Sequence, residues 1–236
     1  MTTDAPPPPS APDGGRRAAE PPPVTGSLPR IGEHAGILSH GVAELRRTFG
    51  EALGEDVVER VAAESHEELF AMASDPAHRE SIAVRFARER LQALADARGL
   101  EHRAVPHVLF VCVQNAGRSQ LAAALLAERA GDALRISSAG SRPAERIHPH
   151  VTPVLTEIGA DPAAAFPKPL TDEVLASADY VITMGCGDDC PVAPHRDVRD
   201  WPVGDPAEAD WDRLQEIVAE IEERVDAFWS EVSGGR

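Results

Sequence analysis

Val108-Leu-Phe-Val-Cys112-Val-Gln-Asn115-Ala-Gly117-Arg118-Ser119-Gln120 is the stretch from which the rest of the chain can be organised. A short apolar run from His107 to Cys112 reads as a buried strand. A polar loop follows, then an Ala/Leu-rich helix from Ser119 to Ala130. A cysteine at the carboxyl end of a strand, five residues, an arginine and a helix start stand where open α/β sheets bind ligands. The loop amides and the helix N-terminus can converge on an oxyanion. The same positive end, with Arg118 nearby, favours Cys112 as a thiolate nucleophile. Arg118 offers a planar fork for two oxygens of a tetrahedral anion. Asn115 tolerates left-handed backbone, Gly117 lets backbone approach the anion, and the Ser119 hydroxyl can donate to the thiolate. Val113, Gln114 and Ala116 complete the anion-binding loop. A bare Cys-x5-Arg pattern arises by chance; the strand before it and the helix after it make this one informative.

Downstream, Leu134 to Ser137 offers a second strand, His148 to Ile158 a helix, Tyr180 to Met184 a buried strand and His195 to Asp200 a weaker fourth. Leu214, Ile217, Ile221, Val225 and Phe228 make one apolar stripe on a closing helix. Strands alternating with helices predict an α/β fold with a small parallel four-stranded sheet covered on both faces. Upstream, about residues 31 to 102 read as a three-helix bundle. Leu38, Val42, Leu45 and Phe49 form the first stripe, closed by Gly50. Val57, Val58, Val61, Leu69 and Met72 form the second, and Asp75-Pro76 starts a third with Ile82, Phe86, Leu91 and Leu94. Met72 and Phe86 read as core packing rather than a ligand pocket, and His34, His40, His66 and His78 as surface residues. Residues 1 to 30, with Pro6 to Pro9 and Pro21 to Pro23, have too little apolar content to order themselves and read as a disordered tail. The catalytic part is then expected over residues 103 to 236.

Composition narrows the partners. With 23 Lys and Arg against 39 Asp and Glu, the net charge of −16 repels a phosphate backbone, which argues against nucleic acid. No apolar run is long enough to span a membrane and no signal-peptide pattern opens the chain, so a cytoplasmic protein is expected. Three cysteines, Cys112, Cys186 and Cys190, are too few and too odd in number for a disulfide scaffold; catalytic, redox or metal-binding roles fit better.

The cysteine loop resembles that of the low-molecular-weight protein tyrosine phosphatases and of the arsenate reductases that share their fold. Phosphatases of this fold usually follow Arg-Ser with Pro, where the related reductases have Gln, and carry a second cysteine before the Arg; here stand Gln120 and Gly117, and both differences favour resemblance to the reductases. Ala178-Asp-Tyr-Val-Ile-Thr-Met184-Gly-Cys186-Gly-Asp-Asp-Cys190-Pro191 resembles the corresponding segment of thioredoxin-linked arsenate reductases. Two thiols on a Gly-bounded loop after a strand can meet a third cysteine and then each other, as a disulfide relay requires. A zinc site from Cys186, Cys190 and His195 is the rival reading, but it lacks an evident fourth ligand. Arg199-Asp200-Trp201-Pro-Val-Gly-Asp205-Pro206 resembles the loop that delivers a general-acid aspartate, here Asp205. Ala207 and Glu208 stand where phosphatases place aromatic residues around a phosphotyrosine; Trp201 and Trp211 could line a pocket or pack in the core or at its rim. Some reductases of the fold hold potassium with a carboxylate in the helix after the loop; Ala123 stands there, and no metal site is carried over.

The resemblance implies reduction of arsenate to arsenite by Cys112, Cys186 and Cys190, with Arg118 and Asp205 assisting. It implies no bound cofactor, and thioredoxin or a low-molecular-weight thiol as electron donor. The substrate is then arsenate or a phosphate-like oxyanion, and a homodimer through the bundle is one assembly it allows. Two alternatives stay open: a phosphatase acting through a cysteinyl-phosphate, and a non-enzymatic redox or arsenic-responsive binding module.

Overall fold

The computed structural model describes residues 35–70, 76–100, 105–162, 164–185 and 197–234. The proline-rich tail, Met72, Cys186, Cys190 and His195, together with the zinc reading built on the last three, lie outside the described residues.

Four parallel strands form the sheet: β1 (His107–Cys112), β2 (Arg135–Gly140), β3 (Tyr180–Thr183) and β4 (Asp197–Asp200), in the order β2-β1-β3-β4. The chain leaves β1 for β2 on one side and returns to β3 on the other, so the carboxyl end of β1 is the topological switch point. All six β1 residues are buried, which is why this strand reads as a continuous apolar run rather than an alternation. Val108, Phe110 and Cys112 face one layer. Leu109 and Val111 face the other.

The first layer is built from α4 (Arg118–Ala130), α5 (Val151–Glu157) and α7 (Trp211–Gly234), packed on Phe110, Ile182 and Met184. Leu214, Ile217, Ile221, Val225 and Phe228 of α7 are all buried, as their helical spacing predicts. Trp201 belongs to this core beside Phe110 and Phe228, whereas Trp211 is half exposed.

The opposite face is covered by α6 (Asp172–Ser177) and by a helix from the amino-terminal half. The helices α1 (Ala35–Leu53), α2 (Glu55–Phe70) and α3 (Pro76–Ala97) pack on one another through Leu45, Phe49, Val58, Val61 and Leu91. Ala93 of α3 is buried against Leu109, Val111 and Val181 of the sheet. Phe86 is core, beside Leu69, Ile82 and Phe166. The described histidines of these helices differ: His40 is exposed and His66 half-buried.

Several boundaries differ from the sequence reading. Helix α1 does not stop at Gly50 but runs to Leu53, because Leu53 extends the apolar stripe and Gly54, at φ 93°, makes the turn. Strand β2 extends through Ser138 and Ala139 to Gly140, paired throughout with β1. The helix expected from His148 begins at Val151, and the short α6 carries too few residues to show a period. No described helix is long and apolar enough to cross a membrane.

Candidate active site

The strand β1 ends at Cys112, and the loop from Val113 to Gly117 wraps back before α4 begins at Arg118. Asn115 adopts φ 48°, the only positive φ of a non-glycine residue among those described, and turns the loop so that its own amide donates to Cys112 Sγ at 3.1 Å. The Ser119 hydroxyl lies 3.0 Å from the same sulfur, and it accepts from Asn115 Nδ2 at 2.8 Å. An amide donor and a hydroxyl thus converge on the sulfur and fix its position, as a nucleophilic cysteine needs.

Asn115 is the hub of this loop. Its Oδ1 accepts from Gln120 Nε2 at 3.1 Å and from the Lys168 amide at 2.8 Å, while Gln120 Nε2 also reaches the Asn115 and Phe166 carbonyls. All of these groups are buried, so each pairing spares a desolvated polar atom. The loop carbonyls are taken up by the segment after β2: Ser141, Arg142 and Ala144 donate to Cys112, Val113 and Gln114, and His148 donates to Ala116. Gly140 permits this approach, since a Cβ there would sit 2.7 Å from the Val113 carbonyl oxygen and 3.0 Å from Asn115.

Arg118 is nearly buried and pairs through Nη2 with Asp205 Oδ2 at 2.8 Å. Asp205 is half exposed, and its other oxygen caps the short 3₁₀ turn at Pro206–Glu208 by accepting from the Ala207 amide. Gly117 has φ −149° and ψ −90°, and its missing Cβ makes room for Pro206, whose Cγ would be 2.5 Å away. The glycine therefore lets the Asp205 loop close over Arg118, a reason different from the anion approach expected of it.

On the far side of Arg118 lies the end of β3. Gly185 has φ 71°, and a Cβ on it would be 2.9 Å from Arg118 Nη1. The backbone that leads directly into Cys186 thus passes against the arginine.

The sequence reading missed several residues around the loop. Phe166 and Lys168 carry backbone groups that hold Gln120 and Asn115, and neither lies in a periodic pattern. His148 lies at the mouth of the loop with His150 stacked near it, and His150 Nε2 lies 2.5 Å from the Pro206 carbonyl. Burial holds His148 below the ordinary imidazole range; Asp205 opposes that, and His150 and Arg118 add to it. Their signal in the sequence was only a pair of histidines, His148 and His150, in a proline-flanked loop. The described residues contain no cluster of three or more His, Cys, Asp or Glu that could hold a metal ion. Ala123, where some reductases carry a carboxylate, packs on the core.

Comparison with known proteins places these features in context. Residues 107–235 match the family described as low molecular weight phosphotyrosine protein phosphatase, and residues 38–95 match a protein-tyrosine-phosphatase-like N-terminal domain. The chain is similar to a thioredoxin-dependent arsenate reductase of Corynebacterium glutamicum. The two are 43% identical with a TM-score of 0.76, over 86% of this chain and 100% of that one. A candidate arsenate reductase of Halobacterium salinarum is 40% identical over 122 residues, 49% of this chain and 85% of its own. The arsenate reductase of Bacillus licheniformis is 32% identical over 131 residues, 51% of this chain and 93% of its own.

Proposed function

Since the chain belongs to the low molecular weight phosphotyrosine protein phosphatase family, we propose that it turns the family's anion loop to the reduction of arsenate to arsenite. The observation that carries this reading is the backbone of Gly185 lying against Arg118, which brings the chain that enters Cys186 to the rim of the anion loop. A phosphatase needs no thiol there. The likeness to a thioredoxin-dependent arsenate reductase across both the helical and the sheet-bearing parts supports the same choice.

In the proposed reaction the loop amides and the Arg118 fork hold three arsenate oxygens, and the Cys112 thiolate attacks arsenic. An arsenic–oxygen bond breaks as Asp205, already 2.8 Å from Arg118, gives a proton to the departing oxygen, which leaves as water. The Ser119 hydroxyl and the Asn115 amide, both on Cys112 Sγ, stabilise the thiolate before attack. The Cys186 thiolate then attacks Cys112 Sγ. The sulfur–sulfur bond forms, the sulfur–arsenic bond breaks with its electron pair passing to arsenic, and arsenite departs. Cys190 attacks Cys186 in turn, which frees Cys112 and moves the disulfide to a Cys186–Cys190 pair. A thioredoxin dithiol reduces that pair and supplies the two electrons; a low-molecular-weight thiol is the alternative donor. No bound cofactor takes part. Cytoplasmic placement and a homodimer through the helical bundle complete the proposal. Fractionation tests the first and light scattering the second.

The test is arsenate-dependent NADPH consumption with thioredoxin and thioredoxin reductase, comparing the wild type with Cys112→Ser, Cys186→Ser and Cys190→Ser. Loss of turnover in all three supports the relay. Loss only in Cys112→Ser points to an external thiol as resolver. No wild-type turnover, with fast hydrolysis of an aryl phosphate that ignores Cys186→Ser, would assign the site to phosphate esters instead.

A further inference from the structure

The segment Phe166–Lys168 joins the amino-terminal helices to the anion loop. On its loop side, the Phe166 carbonyl accepts from Gln120 Nε2 at 2.9 Å and the Lys168 amide donates to Asn115 Oδ1 at 2.8 Å. Asn115 passes the contact to Ser119, and Ser119 to Cys112 Sγ. On its helical side, the Phe166 ring is buried among Leu69 of α2 and Ile82, Ala83 and Phe86 of α3. The Lys168 ammonium lies on both oxygens of Glu89 of α3, at 2.8 and 3.0 Å, and over the Phe166 ring at 5.2 Å. Lys168 is the chain's only lysine, and its side chain is almost wholly buried. A surface lysine gains little from one carboxylate, whereas one held between an aromatic ring and two carboxylate oxygens fixes the backbone that carries it.

We infer that Glu89 is a positioning residue for the anion loop: through Lys168 it braces Asn115, and so the amino-terminal helices set the loop's hold on the oxyanion. The inference rests on Cys112 and its loop being the reacting site proposed above. The brace has a second support, since the Lys168 carbonyl accepts from the Gly140 amide and Leu170 donates to the Gly140 carbonyl. Loss of Glu89 therefore loosens the loop without unravelling it.

Field and brace act in opposite directions, which makes the idea testable. Glu89 is a negative charge, so its removal by field alone would tighten the hold on a phosphate-like anion. Loss of the brace weakens that hold. The assay is alkylation of the full-length protein by iodoacetamide, read at each cysteine by peptide mass spectrometry, with inorganic phosphate as protectant. In the wild type, phosphate must slow alkylation of Cys112 and not of Cys186 or Cys190. Failure of that arm would count against Cys112 and its loop as the oxyanion site, independently of the brace.

With that arm in hand, Glu89→Ala is expected to raise the phosphate concentration that half-protects Cys112 by about threefold to tenfold, the scale of one partly buried charge pair. Glu89→Gln keeps an oxygen acceptor for the ammonium and recovers most of the wild-type value. Arg88→Ala, which removes the ion pair from the neighbouring residue of α3 to Glu44 of α1, leaves it unchanged. Glu89 is more than one-third exposed, so its variants should fold, and circular dichroism confirms that they do. Protection that is unchanged or tightened in Glu89→Ala, or a loss that Arg88→Ala shares, would overturn the inference.

Discussion

Replacing Asn115 tests the reading of the loop as a hydrogen-bonded hub whose cost falls in two separable parts. Asn115→Ala removes the acceptor of the Lys168 amide and the partner of Gln120, both buried, and the donor to Ser119. A buried amide left without a partner costs about 1–3 kcal/mol, and the Lys168 N–H, buried with Asn115, would lose its acceptor. Gln120 keeps its bonds to the Asn115 and Phe166 carbonyls, so little is added there. Backbone at φ 48° costs alanine about 1–2 kcal/mol that asparagine partly avoids through its local hydrogen bonds. The total is about 2–5 kcal/mol, a large share of the roughly 5–15 kcal/mol that holds a domain together. Asn115→Gly loses the same hydrogen bonds but not the backbone compatibility. Allowing about 0.5–1 kcal/mol for its looser unfolded chain, it should be about 1 kcal/mol less destabilised than Asn115→Ala. Urea unfolding followed by tryptophan fluorescence measures both values, because Trp201 sits in the core beside Phe110 of β1. The reasoning fails if both variants lie within about 0.5 kcal/mol of the wild type, or if the glycine variant is the weaker.

Other expectations follow from single contacts. Gly185→Ala places a Cβ 2.9 Å from Arg118 Nη1 on backbone at φ 71°, so phosphate should inhibit this variant about tenfold more weakly, with the melting temperature lowered by only a few degrees; unchanged inhibition would contradict the placement. His148 is held below its ordinary range, so the unfolded chain binds its proton first, and stability is full above about pH 6.5 and falls as pH drops below it. His148→Gln should flatten the decline in urea midpoint between pH 7.5 and 5, and an equally steep decline would refute this. At the sheet edge, Arg199 hydrogen-bonds Asp197 and Glu231 and holds both carboxyls below their usual range. Their contribution is present at neutral pH and lost as pH falls through the folded values, so the stability gap between the wild type and Arg199→Ala should narrow below about pH 4. A gap independent of pH would mean that Arg199 acts only by packing on Tyr180 and Phe228.

How much of this was legible in the sequence depends on whether the signal is local. The all-buried β1 and the 3-4-4-3 stripe of α7 announce themselves, because burial on two faces and on one face leave different periods. Cys112 and Ser119 lie within one strand–loop–helix unit, so their meeting follows from the order of residues. Asp205 reached Arg118 across 87 positions, and only a known resemblance suggested that it would. The Phe166–Lys168 segment had neither kind of signal. It contributes mainly backbone groups to the loop, and backbone carries no residue code. Helix α6 is too short for a period, and Ser138 to Gly140 of β2 lack the bulk that marks a buried strand, the missing side chain at Gly140 leaving room for the anion loop. The covering of one sheet face by α3 was equally hidden: Ala93 reads as one more alanine in a helix whose stripe was assigned to its own bundle.

The central claim, that Cys112 and Cys186 together reduce arsenate, is met most directly by a single turnover in Cys190→Ser without any external thiol. Mixing the reduced variant with excess arsenate should release one arsenite per chain and leave one Cys112–Cys186 disulfide, identified by peptide mass spectrometry. Arsenite release with both of those thiols still free, or no arsenite at all from a folded and phosphate-protected Cys112, would contradict it.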